Sequence, residues 1–553
     1  MAPAPDMVRL PNGQSLTVIP VFGGFFFKAN DLNLHPNIFP AGWTVILQSE
    51  DPTSDDPEAN ADAEGGELHA TPPPTQRRHI RPFRQPTLQN DSLFLSSISN
   101  PSSSDFNAPT SPTRQIAMML WASLYWYFHQ PTPNLTLSTT ASKNTPDSGK
   151  PRGEWRINIK REGVLRGRNL LPKLERMGLI TSDDSSVGLN PEESTPGGWS
   201  EMYTSRRAFW QLPGKLFLFT LTPAVGSPFA GSPYGSRPSS PVRTEQWNNS
   251  SSKPESSENG TLAPGLWSPS APGPFASGSH LPTYYPPPPL QYTVTSGVRH
   301  PVRPKPPRQG EVFYTRYIPS VGQYLSFRVA SLSPKPVAYL GPTALHSSAK
   351  HHSHGSSLSS LPSHISQAFI SDSTTPTRAA DTGNTALMSD LQLLNRWMNN
   401  PRVSSFWGCS GPESTQDAFL RANLTSAHSF PVIGLWDGKP FGYFEIYWVK
   451  EDALGRLLGD EAADYDRGFH VLVGEDEFRG KHKVKCWATS IAHWAFMQDY
   501  RTNAVVLEPR VDNERFISHL HESGYLKEKE VTFPHKQSAF VKLRRENFEA
   551  PIL

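Results

Sequence analysis

The C-terminal third of the chain predicts an α/β fold, a mixed central sheet flanked by helices. Three observations predict it: an aromatic hairpin, a short apolar strand running through a loop into a long helix, and a strand–helix–strand return. In the hairpin, 431–436 and 440–449 flank Asp437-Gly438-Lys439, where glycine supplies the positive φ of a tight turn. The apolar strand is 468–474, with the loop 475–482 leading into a helix over 483–500. Residues 504–507 read as a strand, 513–523 as a helix and 538–543 as a last strand. A helix over 390–399 precedes them all. Strands alternating with helices at this spacing make an α/β sandwich.

Composition bounds the rest. The chain has 553 residues, enough for two or three domains, but 56 prolines gather with serine and glycine in a few stretches. A net charge of +2 gives no field favouring nucleic acid or an anionic membrane. Two cysteines, Cys409 and Cys486, cannot build a disulfide framework and suggest a reducing compartment. Residues 1–10 have neither the basic nor the apolar region of a signal peptide, and 116–128 is too short to span a bilayer. The expectation is a cytoplasmic protein, with peroxisomal import by another route left open because Pro551-Ile552-Leu553 is not the Ser-Lys-Leu address.

Along the chain, strand-like runs at 15–19 and 43–47 open an N-terminal domain over 1–225, with a disordered insertion at 52–111. A helix is expected over 114–130, an amphipathic helix within 155–180 and a strand over 208–222. Residues 226–310 read as a disordered Pro/Ser/Gly-rich segment and 311–330 as a short ordered strand segment. A Ser/His-rich linker over 331–385 leads to a catalytic domain over 386–553. His351-His352-Ser353-His354 lies in that linker without a cysteine or carboxylate, so it reads as low complexity and not as a metal site.

Arg479, Lys481, His482 and Lys483 surround the start of the 483–500 helix, where backbone N–H groups can meet a pyrophosphate. A solvated basic helix start is the plainer reading of the same residues.

Four motifs in order give this region a family resemblance. They are Trp397-Met398-Asn399-Asn400-Pro401-Arg402-Val403 with Phe406-Trp407, then 440–447, 467–474, and Glu508-Pro509-Arg510-Val511-Asp512-Asn513. They resemble the siderophore N-acyltransferases of the GCN5-related N-acetyltransferase (GNAT) superfamily, and the interrupted N-terminal half is similar to the fungal branch. That branch implies a second, degenerate acyltransferase-like domain before the catalytic one. The family histidine after the first tryptophan is Met398 here, Glu-Pro-Asp is Glu508-Pro509-Arg510, and the phosphate loop keeps one glycine, Gly480.

The resemblance implies transfer of an acyl group from acyl-CoA, acetyl-CoA or anhydromevalonyl-CoA, to the side-chain hydroxylamine of N-hydroxyornithine. Contact with siderophore pathway enzymes would follow, and no permanently bound cofactor or metal is expected. His470 becomes the base, against the alternative of a satisfied core histidine. Asp512 would orient it or bind the substrate amine, the alternative being that Asp512 or Asn513 caps the next helix. Val471 and Val473 would offer N–H groups to the thioester, with Arg479, Gly480, Lys481, His482 and Lys483 at the pyrophosphate. Arg402, Glu445 and Lys536 are candidates for the charged ends of the acceptor, and Trp407, Tyr447 and Trp448 for walls of its pocket, with core packing the alternative for each aromatic. Two other readings are an acyltransferase on another amine, such as hydroxylysine or an aminoglycoside, and a non-catalytic scaffold whose Pro-rich segments bind partners.

Overall fold

The computed structural model describes residues 6–30, 42–50, 80–99, 112–167, 170–183, 202–218, 262–263, 266–267, 291–344 and 385–553. Two sheets carry the fold. The N-terminal sheet contains β1 (Asp6–Arg9), β2 (Ser15–Val21), β3 (Gly24–Ala29), β4 (Gly42–Glu50), β5 (Ile80–Pro82), β6 (Asp91–Ser99), β7 (Arg156–Ile159) and β8 (Tyr203–Ser205). Its helices are α1 (Pro112–Tyr127), α2 (Leu171–Arg176), α3 (Arg206–Gln211) and α4 (Lys215–Leu218). β9 (Leu266–Trp267) follows, then a separate hairpin of β10 (Tyr292–Thr295) and β11 (Val298–Pro301).

The C-terminal sheet continues from β9 with β12 (Glu311–Ile318), β13 (Gln323–Val329), β14 (Ser429–Trp436), β15 (Lys439–Trp448), β16 (Arg467–Val473), β17 (Ala504–Leu507), β18 (Leu526–Phe533) and β19 (Lys536–Arg544). Its helices are α5 (Asp390–Met398), α6 (Pro401–Trp407), α7 (Glu413–Thr425), α8 (Ala453–Leu458), α9 (Lys481–Gln498) and α10 (Glu514–His521). The strand order is β18-β19-β17-β16-β15-β14-β13-β12-β9, antiparallel from β12 to β16. The crossover through α9 then sets β17 parallel to β16.

The N-terminal sheet repeats this plan. Antiparallel strands end at β6, the chain crosses over through α1, and β7 runs parallel to β6. α1 is buried along nearly its whole length, as a crossover helix covered on both faces must be. The described residues therefore hold two large sheets built on one plan.

Several expected boundaries move. Residues 80–99, placed within a disordered insertion, hold β5 and β6, and β6 pairs with both β4 and β7 inside the N-terminal sheet. Residues 311–330 are no isolated segment, because β13 pairs with β14 over five registered positions and the catalytic sheet begins there. Part of 226–310 is folded: Arg303 forms a two-pronged bond to Glu451, with both distances 2.6 Å. Within 155–180, where an amphipathic helix is expected, the chain forms a strand, a 3-10 turn and one short α-helix, with Pro172 at the start of that helix and Gly178 after it. Residues 208–222, expected as a strand, begin with α3 and α4, because Ser205 caps the first through the Ala208 amide. The remaining parts of 52–111, 226–310 and 331–385, including His351–His354, lie outside the described residues. Among the described residues no helix is long and apolar enough to cross a membrane.

One buried ion pair ties 311–330 to the motif-bearing helices. Arg328 on β13 donates to both oxygens of Asp390 at the start of α5, at 2.7 and 2.8 Å, and the Ser331 amide donates to Asp390 as well. Asp390→Ala would strand the Arg328 guanidinium in the core and is expected to cost roughly 3–5 kcal/mol in urea unfolding. Replacing both partners with apolar residues of similar volume should recover most of that loss, which separates the stranded charge from lost packing.

Candidate active site

Adjacent strands bring the charged residues together. In the β15–β16 pairing Glu445 lies opposite His470 and Tyr447 opposite Gly468, so these side chains share one face of the sheet. β17 pairs with β16 only at Arg467–Val505 and Gly468–Val506, beyond which the two parallel strands part. Glu508 immediately follows β17 and turns its carboxylate back across the opening.

His470 is held at both ring nitrogens. Nδ1 lies 3.0 Å from Glu445 Oε2 and Nε2 lies 2.5 Å from Glu508 Oε1. Ionised carboxylates only accept, so both ring nitrogens donate and the ring is an imidazolium. Asn423 and the Tyr443 hydroxyl complete Glu445, at 2.7 and 3.1 Å. The Tyr447 hydroxyl donates to Glu508 Oε2 at 2.7 Å, and the Lys536 ammonium donates to the Glu508 carbonyl at 2.9 Å. The Tyr447 ring lies 4.8 Å from the His470 ring, centroid to centroid. Gly468 makes room for it, since a Cβ there would come within 2.2 Å of the tyrosine ring.

The charges follow from this packing. Burial pushes His470 down, but Glu508 and Glu445 outweigh it and hold the imidazole well above its ordinary value of 6.5. Burial pushes Glu508 up, yet His470, Lys536 and Tyr447 bring its carboxyl down to about 2. A charged His470 is thus matched by an ionised Glu508.

Two cavities of about 260 and 420 Å³ meet beside it. His470, Glu508 and Lys536 line the smaller, Arg402, Val473, Arg479 and Gly480 line the larger, and Trp407 and Val471 face both. Asn400 and Pro401 start α6 over the opening, the Asn400 side chain accepting from the Arg402 amide. From α6 the Trp407 indole donates to the Val471 carbonyl at 3.3 Å, and Arg402 donates to the Val473 and Gly474 carbonyls at 3.0 and 3.2 Å. A strand residue's N–H and C=O point to the same side, so the Val471 and Val473 amides face this opening too.

Other expected site residues sit elsewhere. Asp512 does not orient His470: Arg510 takes its two oxygens at 2.8 and 2.6 Å on the surface, and both imidazole nitrogens are already occupied. Nor does it cap α10, whose N-cap is Asn513 with no side-chain bond. Lys483 turns inward, its ammonium 4.0 Å above the Trp436 ring, and is lost to the phosphate site. Arg479 and Gly480 remain at the mouth, with Lys481 and His482 exposed at the start of α9. Trp448 lies on the opposite face of the sheet under Arg467 and Arg303, their guanidinium carbons 3.2 and 4.2 Å from its ring centre. Tyr447 and Glu445 support His470 and do not wall an acceptor pocket. Arg402, Trp407 and Lys536 do reach the cavities. Glu508, the first residue of the Glu-Pro motif, is the site residue that the sequence does not single out, since the motif alone does not show which carboxylate after β17 faces inward.

Comparison with known proteins agrees with this architecture. An acetyltransferase (GNAT) domain model matches residues 386–533. The chain is 49% identical to the N5-hydroxyornithine acetylase sidL of Beauveria bassiana, over 97% of this chain and 99% of that one. The chain belongs to the N5-hydroxyornithine acetylase family. It is therefore a GNAT acyltransferase with acyl-CoA as co-substrate. A shorter stretch, 29% of this chain and 50% of the relative, is 45% identical to the N(6)-hydroxylysine O-acetyltransferase of Escherichia coli. The N(5)-hydroxyornithine:cis-anhydromevalonyl coenzyme A-N(5)-transacylase SIDF of Beauveria bassiana is 32% identical over 50% of this chain and 52% of its own. In this chain the motif-bearing strands are thus the pieces that build the His470 site.

The raised His470 value and the lowered Glu508 value fix the sign of a pH test. The stability that His470 contributes is complete below about pH 6.5 and is lost as pH rises through its raised value. That of Glu508 is complete above about pH 4.5 and is lost only as pH falls toward 2. NMR of histidine-labelled protein should find the His470 ring still protonated at pH 7.5, and Glu508→Gln should lower its titration midpoint by at least one unit.

Proposed function

We propose that this acyltransferase transfers the acetyl group of acetyl-CoA to the side-chain hydroxylamine of N-hydroxyornithine, a hydroxamate-forming step of siderophore biosynthesis. The observation that carries this reading is the match to an N5-hydroxyornithine acetylase along nearly the whole of both chains. The anhydromevalonyl transacylase matches half the chain at lower identity, which favours acetyl as the donor.

The residues divide the work. Acyl-CoA lies along the larger cavity, its pyrophosphate at Arg479, Gly480 and the start of α9, its thioester oxygen at the β16 amides of Val471 or Val473. Trp407 and Arg402 hold α6 over that path. The acceptor enters the smaller cavity, where Lys536 and Arg510 face its carboxylate.

A hydroxylamine nitrogen is neutral near pH 7 and attacks the thioester carbon without prior deprotonation. The nitrogen of the tetrahedral intermediate is then strongly acidic, so a carboxylate as weak as Glu508 can accept its proton. The C–S bond breaks, and the His470 imidazolium protonates the departing thiolate. Proton passage from Glu508 to His470 restores the trio. His470 thus serves as the acid at sulfur, where the sequence alone suggested a base at nitrogen.

Mass spectrometry of the products tests the reading. Purified protein should form acetyl hydroxamate from N-hydroxyornithine and acetyl-CoA, release little CoA with ornithine, and use anhydromevalonyl-CoA at least tenfold less efficiently. N6-hydroxylysine belongs in the same assay because of the Escherichia coli relative, and a preference for it would reassign the acceptor. Replacing His470 with alanine should reduce kcat by roughly 10²–10⁴-fold. Activity with neither acceptor would overturn the proposal.

A further inference from the structure

A separate cavity, of about 90 Å³, lies where the two sheets' crossover helices approach each other. α1 contributes Trp121 and Tyr125, α3 contributes Trp210, β12 contributes Arg316, and α9 contributes His493. None of these belongs to the acyl-transfer site. Most of the other residues on its walls are aromatic or aliphatic, Thr315 and Gln498 being polar, and no carboxylate is among the residues that line it.

Arg316 is the anomaly. It is 1% exposed, and its Nη2 donates to the Ile552 carbonyl, while Nε and Nη1 have no hydrogen-bonding partner. No ion pair to Arg316 occurs among the described residues. Burial strips water from a guanidinium and leaves its charge uncompensated, so buried arginines are normally paired. Four further buried atoms on the cavity wall are unpartnered: the indole nitrogens of Trp121 and Trp210, the Tyr125 hydroxyl and Nε2 of His493. The two indoles can only donate, the hydroxyl can donate, and the imidazole nitrogen donates when it carries the ring proton.

The neighbouring imidazoles feel the same burial and the same cation. His493 and the neighbouring His129 are driven down, to about 3 and about 4, first by burial and further by Arg316. The nearest rings are thus kept neutral, and Arg316 stands as the one cation on the cavity wall.

We propose that this cavity binds a small monocarboxylate, with Arg316 as its counter-ion and the Trp121, Trp210 and Tyr125 donors completing its hydrogen bonds. A guanidinium offers two parallel N–H groups to a carboxylate. The volume admits several waters' worth of ligand, which suits an anion of acetate or propionate size and excludes a nucleotide or a coenzyme. The aromatic walls suit a short apolar stem. Because α1 and α9 both line the site, occupancy joins the two sheets.

The test is equilibrium binding to the full chain. Sodium acetate and sodium propionate would be titrated at constant ionic strength, with sodium chloride as the reference, following tryptophan fluorescence and thermal midpoint. The proposal expects a saturable fluorescence change and a rise in midpoint with the carboxylates beyond the chloride control. Arg316→Met should weaken that binding at least tenfold. Should that variant not fold, Tyr125→Phe removes only a hydroxyl and Trp210→Phe removes the indole N–H with part of its ring, and each should weaken binding severalfold. Carboxylate effects no larger than those of chloride would overturn the proposal, as would undiminished binding in the variants. Hydroxamate formation measured in parallel is a separate readout, since the cavity shares no residue with the acyl-transfer site.

Discussion

The site depends on one constraint: an imidazole can hold carboxylates at both nitrogens only if the strands on either side of it present them. β15 presents Glu445 through antiparallel registry, and the end of β17 presents Glu508 across the gap where it leaves β16. If β17 continued to pair with β16, Glu508 would have no path to His470 and acyl-CoA would have no groove. The same parting of strands therefore makes the charge relay and the binding cleft. Gly468 keeps the arrangement compact by letting the Tyr447 ring lie beside the imidazole and reach Glu508.

The rest of the catalytic sheet holds that geometry fixed. The Asn400-Pro401 start of α6 aims Arg402 and Trp407 at the free carbonyls of β16, which blocks those carbonyls and leaves the amides for a ligand. Trp397 of the same motif packs on Gly474 and donates to Glu475 at 2.7 Å, fixing the strand where it turns toward α9. The opening motif thus acts through the strand it clamps. With Met398 buried in that helix, no proton chemistry is asked of the position.

Much of this was legible in the sequence, and the exceptions have physical reasons. The hairpin, β16, α9 and β17 are strongly patterned, since each buries one face or both, and their order gave the family. β12 and β13 look isolated because a long segment separates them from β14, and linear sequence does not record that they pair with it. β6 was hidden by its polar flanks, although its Leu93 and Leu95 are core residues. Side-chain direction was the harder problem. Trp448 and Tyr447 are neighbours on one strand and point to opposite faces, and Lys483 belongs to a basic cluster yet buries its ammonium over Trp436. The roles of Asp512 and Glu508 turned on which of two nearby carboxylates faces inward, which only the path of the chain after β17 decides.

The pH dependence of kcat with saturating N-hydroxyornithine and acetyl-CoA tests the central claim most directly, that the Glu445–His470–Glu508 trio works with His470 charged. The account predicts a flat profile from about pH 6 to 7.5 and a fall at higher pH, as the raised imidazolium loses its proton. A rise in kcat through about pH 6.5 to a plateau on the alkaline side would mean that the neutral imidazole is the working form, and would contradict it.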